Sequence, residues 1–444
     1  MADGKNYELI KVFQLNKYGA STSIGDFKDL LETAFGSGGQ LTSNGFRQLV
    51  TLGETMRNKY VKSGFLNDNT EDIAKDFKIF STKIQRCIYS SIAFVNGLFP
   101  GVMPKVIFHR TDDLKSMKKD DLAPVKGEFA KYKCDKNEIE RNLEIHVRPM
   151  ENDTVLHPRY CLLDGKIIND LLEEHEKKHI EELKKEKKYP DIINITPADK
   201  KAQKEILTKL CLIKEEDVKD INGNLRELKD FEHILMSIPY HLNKSPFSKD
   251  ISKEGRNLYV KYFTQKRFGA NFFKDDELLY IICSHLYQII VDEFIKGRDR
   301  KEEELGKIKI TDKKQKNRKY IVDTCHDGNI LPIIMTLYDR DYLIKMLNDA
   351  PKKQEAFEFI LLPFASSLIF ELLRNKINGK YYVKVYYNGK LIKGTMRKLV
   401  NANGRKEDIS ATGFIDLDKF ILLLKSMINV RYKELDGKHL KEID

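Results

Sequence analysis

The beginning of the chain consists of short blocks of apolar and polar residues whose periods predict strands and helices in turn. Glu8–Leu15 is a mostly apolar run that predicts a buried strand, and Ser43–Ser63 has apolar residues at helical spacing. Strands are also predicted at Phe77–Thr82 and Val106–His109, with a helix at Gln85–Leu98 between them. This alternation predicts an α/β fold in which helices connect the strands of a mostly parallel sheet.

The middle of the chain has a different pattern, because long charged stretches replace the short apolar runs. Ile167–Lys188 is dense in acid–base pairs three or four residues apart, which stabilise an exposed helix, and Asp276–Ile295 predicts another long helix. We interpret residues 116–306 as a helical, charged cap insertion. Residues 1–115 and 307–444 then form the two parts of one discontinuous α/β domain.

Strands and helices alternate again after the insertion. Arg318–Cys325 predicts a strand and Ile330–Leu347 a helix. Tyr381–Leu391 is apolar and rich in β-forming residues, and it predicts a strand that ends in a turn at Asn388-Gly389. The carboxyl-terminal part therefore completes the same sheet.

Composition and charge restrict the classes of function. The chain has 444 residues, of which 41% are hydrophobic and 33% charged, so it has enough apolar material for a core beneath a charged surface. The net charge of +11 favours acidic partners, and an acidic protein surface or polymer such as tubulin is favoured over nucleic acid. A simpler explanation of the same charge is that the proteins of the source organism are rich in lysine in general.

No segment predicts secretion or insertion into a membrane. The first residues lack a basic start followed by an apolar run, and Pro363 interrupts the apolar stretch Phe359–Phe370. The six cysteines are scattered without a CxxC pair, so neither a zinc site nor a disulfide framework is predicted. We expect a cytoplasmic protein.

Two local patterns are typical of metal and phosphate sites, but their surroundings argue against both. His175–His179 satisfies HExxH, yet it is flanked by charged residues and a third ligand is not evident. Gly36–Gly39 lacks the Lys-Ser/Thr that follows in phosphate-binding loops. We therefore predict no metal and no cofactor.

A series of short motifs resembles the histidine acid phosphatases, which form branch 2 of the histidine phosphatase superfamily. The resemblance implies a phosphoglycerate-mutase-like sandwich of helices around a central, mostly parallel sheet, with an inserted helical cap. The motifs of that family are LTxxGxxQ, LG, LRxRY, RSTDxxR, GLFP, AHDTT, PxAS and xEL. They are matched in order by Leu41–Gln48, Leu52-Gly53, Met56–Tyr60, Phe80–Arg86, Gly97–Pro100, Cys325–Ile330, Pro363–Ser366 and Phe370–Leu372.

The same resemblance indicates that the catalytic motif is degenerate. In the family, RHGxRxP after the first strand supplies a nucleophilic histidine and two arginines, and a further arginine opens RSTDxxR. The aspartate of an HD pair protonates the leaving group. The corresponding positions here are Lys17 and Ser21 for the two arginines, Tyr18 for the histidine, Phe80 for the further arginine, and the retained pair His326 and Asp327.

These substitutions predict that phosphatase chemistry is absent. A phenol has a pKa near 10 and is a poor nucleophile at neutral pH, and losing one transition-state donor costs about 10²- to 10³-fold in rate. We expect a non-catalytic scaffold protein of a larger assembly, with a microtubule or cilium as one candidate host.

Two alternatives stay open. The first is a sensor that binds phosphate or an inositol polyphosphate through Lys17, Arg86 and His326 without hydrolysing it. The second is a weak or altered phosphomonoesterase that uses His326 and Asp327. The retained pair also has a structural interpretation, because Asp327 with Asn329 could cap the following helix.

Overall fold

The computed structural model describes residues 6–22, 38–68, 70–102, 104–108, 143–148, 200–210, 213, 218–219, 245–268, 276–309, 318–400 and 404–428. The predicted helix Ile167–Lys188, the HExxH segment, Gly36 and Ser37 lie outside these residues. In the parts of the chain that the structure describes, no helix is long and apolar enough to span a membrane. The same parts hold no group of His, Cys, Asp and Glu side chains placed to bind a metal.

The amino-terminal part alternates between strands and helices as the sequence predicts. The bounds of β2 and α3 are those expected, and β1 and β3 differ from expectation by one or two residues at their ends. In chain order the elements are β1 (Tyr7–Lys17), α1 (Ser43–Met56), a π-helical turn (Arg57–Val61), α2 (Thr70–Asp76), β2 (Phe77–Thr82), α3 (Gln85–Leu98), β3 (Lys105–Phe108) and β4 (Glu144–Arg148).

Residues 116–306 contain strand β4 of the main sheet, and the elements that the structure describes between β4 and residue 306 are helical. They are α4 (Lys200–Glu205) with a π-helical turn (Ile206–Leu210), α5 (Lys253–Phe268) and α6 (Asp276–Glu304). The remaining elements are β5 (Tyr320–Cys325), α7 (Asp327–Leu337), α8 (Arg340–Asp349), α9 (Gln354–Leu361), β6 (Ser367–Asn375), β7 (Tyr381–Tyr387), β8 (Lys390–Leu391), β9 (Leu399–Val400), β10 (Lys406–Glu407), β11 (Ile415–Asp416) and α10 (Leu417–Ser426).

The prediction of one helix over Ile330–Leu347 is wrong, because two helices, α7 and α8, cover this segment. Tyr338 between them has an extended backbone and forms a β-bridge with Met396. The side chain of Asp339 accepts a hydrogen bond from the backbone N–H of Asp341 and so caps α8. A tertiary strand contact and a side-chain cap together outweigh the continuous helical pattern.

Nine of the described strands form one mixed sheet, β9 and β10 form a separate antiparallel pair, and the predicted α/β fold is confirmed. Its order is β11-β7-β6-β1-β5-β2-β4-β3, with β8 paired to β7. Strands β1, β5, β2, β4 and β3 are parallel, whereas β6, β7 and β11 extend the sheet by antiparallel pairing. The predicted turn at Asn388-Gly389 is present and joins β7 to β8. The two residues have φ values of 47° and 75°. The expected domain boundaries stay a prediction.

Helices cover both faces of the sheet. On one face, apolar residues of α1 and α3 pack on Val12, Ile79 and Val322. On the other face, residues of α6, α7 and α10 pack on Phe13 and Leu15. That second face also buries the ammonium of Lys11, which forms an ion pair with Glu293 of α6.

Helices α1 and α3 approach each other closely at two glycines. A Cβ atom on Gly53 would lie 2.2 Å from the Phe94 carbonyl oxygen, and one on Gly97 would lie 2.0 Å from the Val50 carbonyl oxygen. Real Cβ contacts are longer, so both positions require the absence of a side chain. The contact sets the spacing of the two helices.

Acid is expected to weaken the fold through His285 of α6. Burial, and then the positive charge of Arg148, lowers the pKa of His285 from 6.5 to about 4. The unfolded chain therefore binds a proton at a higher pH than the folded chain does. The free energy of unfolding should decrease as the pH falls from about 6.5 to about 4.

Urea unfolding measured across this pH range checks the expectation. A His285→Gln variant keeps a polar side chain but cannot titrate, so its unfolding midpoint should decrease less as the pH falls. An equal decrease in both proteins would assign the acid sensitivity to other groups.

Candidate functional site

The retained and degenerate motif positions meet where the parallel strands end. Lys17 ends β1 and is followed by Tyr18, while His326 and Asp327 follow β5. Thr82 ends β2, the next strand in the sheet. In open α/β sheets the carboxyl ends of the strands form the usual ligand crevice, so this edge is the candidate site.

Tyr18 is the central residue of this site and is only 6% exposed. Its ring centre lies 4.5 Å from the Arg86 guanidinium carbon, and its centroid lies 5.3 Å from that of the His326 ring. Its backbone N–H donates to the Cys325 carbonyl oxygen, and its own carbonyl accepts from Ala365. The phenol ring is thus held between a cation and an imidazole.

Lys17 is 1% exposed, and its ammonium is directed into the protein. Nζ donates to the Leu362 carbonyl oxygen at 2.7 Å and lies 3.6 Å from Asp327 Oδ2. Leu362 and Ala365 both have positive φ, 52° and 58°, in the loop that contacts Lys17 and Tyr18. The buried ammonium therefore joins the end of β1 to this loop and to Asp327.

His326 lies at the start of α7 and is packed on one side by β2 and α3. Its Nε2 is 3.2 Å from Thr82 Oγ1 and 3.5 Å from Cys87 Sγ. His326 is the N-cap residue, and its backbone N–H donates to Asn329 Oδ1 at 3.1 Å. The alternative of Asp327 as the cap is therefore wrong, since Asp327 is the first helical residue, although Asn329 does take part in capping.

Arg86 is the cation that the structure brings to Tyr18. It is the second residue of α3, matches the closing arginine of the RSTDxxR motif, and is half-buried. Nη1 donates to the Gly39 carbonyl oxygen at 3.3 Å. In the described part of the chain, its buried Nε has no hydrogen-bond acceptor.

Two of the degenerate positions lie apart from this group. Ser21 is buried, and its backbone forms a β-bridge with Leu41. Phe80 lies within β2, before the end of the strand, and its ring centre is 4.2 Å from the Arg148 guanidinium carbon. The structure therefore gathers Lys17, Tyr18, Arg86, His326 and Asp327.

Sequence reasoning missed Thr82 and Cys87, which both contact His326. Thr82 lies within the motif match Phe80–Arg86 and Cys87 directly follows it. The pairing of β2 with β5 brings Thr82 to the imidazole, and the packing of α3 brings Cys87. The position of Thr82 at the end of a predicted parallel strand was the available signal.

Two buried thiols, one of them at the site, should resist alkylation. Burial raises the pKa of Cys87 to about 11 and that of Cys283 to about 12, so both are protonated near pH 8 and lack the nucleophilic thiolate. Iodoacetamide at pH 8 should leave both unmodified in the folded protein and modify both in urea, as measured by peptide mass spectrometry. Rapid modification of Cys87 in the folded protein would show that the thiol is accessible.

The sequence motifs at this edge agree with a family model. Residues 6–161 match the model of the histidine phosphatase superfamily (branch 2), the family that the motifs resemble. No curated protein matches the chain at a significant level.

Solved structures of phytases share the fold. The phytase of Klebsiella sp. ASR1 has a TM-score of 0.52 and 14% identity, with 96% of this chain and 95% of that chain covered. Hafnia alvei phytase in complex with tartrate has a TM-score of 0.52 and 15% identity over 96% and 98%. Citrobacter braakii phytase has a TM-score of 0.51 and 13% identity over 95% and 98%. The family and these structures are phosphatases, and at such identities the likeness shows the fold alone.

Proposed function

We propose that this protein binds a phosphate or phosphomonoester group in the cleft at Tyr18 and does not hydrolyse it. The observation that carries the proposal is the position of Tyr18, whose buried ring lies between Arg86 and His326 where the family resemblance places the nucleophile. A protonated phenol does not form the phosphohistidine intermediate that the family uses.

The ion pair of Asp327 supports the loss of acid catalysis. A general acid must carry a proton that it can give to the leaving group. Asp327 Oδ2 lies 3.6 Å from the buried ammonium of Lys17, so the carboxylate is engaged in an ion pair within the fold.

Arg86 supports retained anion binding. Its guanidinium combines half-burial with an Nε that lacks an acceptor among the described residues. A buried donor without an acceptor is costly, and an oxyanion at this position would accept from it. The ammonium of Lys17 already contacts Leu362 and Asp327. We therefore propose Arg86 as the main residue that binds the anion.

Removal of the Arg86 side chain is expected to weaken phosphate binding. Charge-assisted hydrogen bonds contribute about 1.5–3 kcal/mol, so Arg86→Ala should weaken the affinity for inorganic phosphate at this cleft by about tenfold or more. Isothermal titration calorimetry measures this change. Arg47→Ala, which removes an exposed arginine of α1, is the matched control and should bind like the parent protein.

An assay with an aryl phosphate tests the absence of hydrolysis. We expect no turnover above background. Turnover that His326→Ala abolishes would instead support the altered phosphomonoesterase and would contradict the proposal. Unchanged phosphate affinity in Arg86→Ala would contradict the binding role alone.

The scaffold role is a second candidate, and the net charge of +11 favours it. An acidic polymer such as the microtubule is the proposed host, in the cytoplasm, the cytoskeleton or a cilium. Co-sedimentation with microtubules at low ionic strength, weakened by added salt, is the expected result. Failure to bind at low ionic strength would remove this candidate and leave the cleft proposal unaffected.

A further inference from the structure

A second group of cations lies on the sheet face opposite α1 and α3. Side chains alternate between the two faces of a strand, and Phe77 and Ile79 of β2 face α1 and α3, so Lys78 and Phe80 face the other way. Arg148 ends β4 in register with Thr82 and lies over the Phe80 ring. Lys78 and Arg148 thus both contact one aromatic ring.

These two cations are poorly compensated. The Lys78 ammonium is half-buried and lies 4.6 Å from the Phe80 ring centre, and among the described residues it has no ion-pair or hydrogen-bond partner. Burial, and then the nearby charges of Arg148 and Arg318, lowers the pKa of Lys78 against the smaller opposing effects of Glu293 and Asp323. Arg148 lies 3.4 Å from Asp323, yet its buried Nη1 has no acceptor within the same described ranges.

The neighbouring carboxylates already have cationic partners. Asp323 lies beside Arg148, and Glu293 pairs with both Lys11 and Lys296. A half-buried cation without a counter-ion is unfavourable, and its cost is removed when an anion binds. The group is also reachable from solvent, because the side chain of Arg148 is 16% exposed and Lys78 is half-buried.

We propose that Lys78 and Arg148 form a second anion-binding site, which takes free phosphate or the phosphoryl group of a monoester. The Phe80 ring contacts both cations and positions them by cation–π contact. The site is distinct from the cleft at Tyr18 and does not depend on what that cleft binds. It lies one strand further along the sheet edge, because Arg148 pairs with Thr82, the residue that contacts His326.

Titration with inorganic phosphate, and separately with glycerol 2-phosphate, tests the site. In an Arg86→Ala background, which weakens the first cleft, phosphate should still bind and raise the melting temperature. Adding Lys78→Met should weaken this remaining affinity by about tenfold or more. Lys78→Arg should retain the affinity, and Lys62→Met, which removes an exposed lysine, should leave it unchanged.

Lys78→Met should also raise the melting temperature of the ligand-free protein, because it removes an uncompensated charge. A purely structural lysine would have the opposite effect on stability. If the Lys78→Met and Lys62→Met proteins bind each of the two ligands with the same affinity, the proposal is overturned. Binding of the monoester alone would assign the site to a phosphoryl group, and binding of inorganic phosphate alone would assign it to the free ion.

Discussion

Gly97→Ala is expected to force α1 and α3 apart and to destabilise the protein by about 3 kcal/mol or more. The added Cβ would lie 2.0 Å from the Val50 carbonyl oxygen and 2.9 Å from the Glu54 nitrogen. Both are backbone atoms, so no side-chain rotation relieves the overlap and a whole helix must shift. Urea unfolding followed by circular dichroism measures the change in the free energy of unfolding.

Gly328→Ala is the matched control for this substitution. Gly328 lies in α7, and a Cβ built there has nothing within 4 Å. Alanine in a helix is favoured over glycine by about 0.5–1 kcal/mol, so this variant should be neutral or slightly more stable. A similar loss of stability in both variants would show that the contact between α1 and α3 is not the cause.

Lys17→Met is the second substitution with a large expected effect. It keeps the length of the side chain but removes the ammonium that binds the Leu362 carbonyl oxygen and faces Asp327. Breaking this pair removes the buried lysine partner of the partly exposed Asp327 carboxylate, and we expect a loss of about 3 kcal/mol in the free energy of unfolding. Chemical denaturation at neutral pH measures this loss.

Two further variants locate the origin of that effect. Adding Asp327→Asn to Lys17→Met removes the carboxylate that has lost its lysine partner and should recover part of the stability. Lys390→Met removes the lysine of an ion pair with Glu355 whose two side chains are 72% and 76% exposed, and it should change stability by less than about 1 kcal/mol. No recovery in the double variant would contradict a role for the Lys17–Asp327 pair.

The parallel part of the sheet was predictable from sequence because its strands are buried on both faces. Phe77–Thr82 and Arg318–Cys325 are short apolar runs bounded by polar residues, and the structure has strands at both places. Helix α3 was also predicted with its correct bounds, since its apolar residues are nearly continuous. Local patterning was sufficient wherever tertiary contacts agreed with it.

Other elements depended on contacts that the sequence pattern does not contain. The apolar stretch Phe359–Phe370 holds the end of α9, a loop and the start of β6, and its hydrophobicity does not mark these boundaries. The break at Tyr338 likewise depends on Met396, which is distant in sequence. Lys11 and Asp323 are buried charges within strands, and only their partners in α6 and β4 explain them.

The candidate site was predictable to the extent that the family motifs mark it. The resemblance placed Tyr18 and His326 together, and the structure brings them into ring contact. It did not predict that Arg148 would lie over Phe80, because that contact depends on the register between β2 and β4. Strand register is a long-range property and has no local signal in this sequence.

Lys17 also bears on whether a phosphatase could be recovered from this protein by engineering. Its ammonium holds the Leu362 loop and neutralises Asp327, so histidine introduced at position 18 alone would face a carboxylate that is still paired with a lysine. Replacing Lys17 alone removes a buried contact of the fold. The two positions are therefore epistatic, and single-substitution libraries screened for aryl phosphate hydrolysis are expected to contain no active variant.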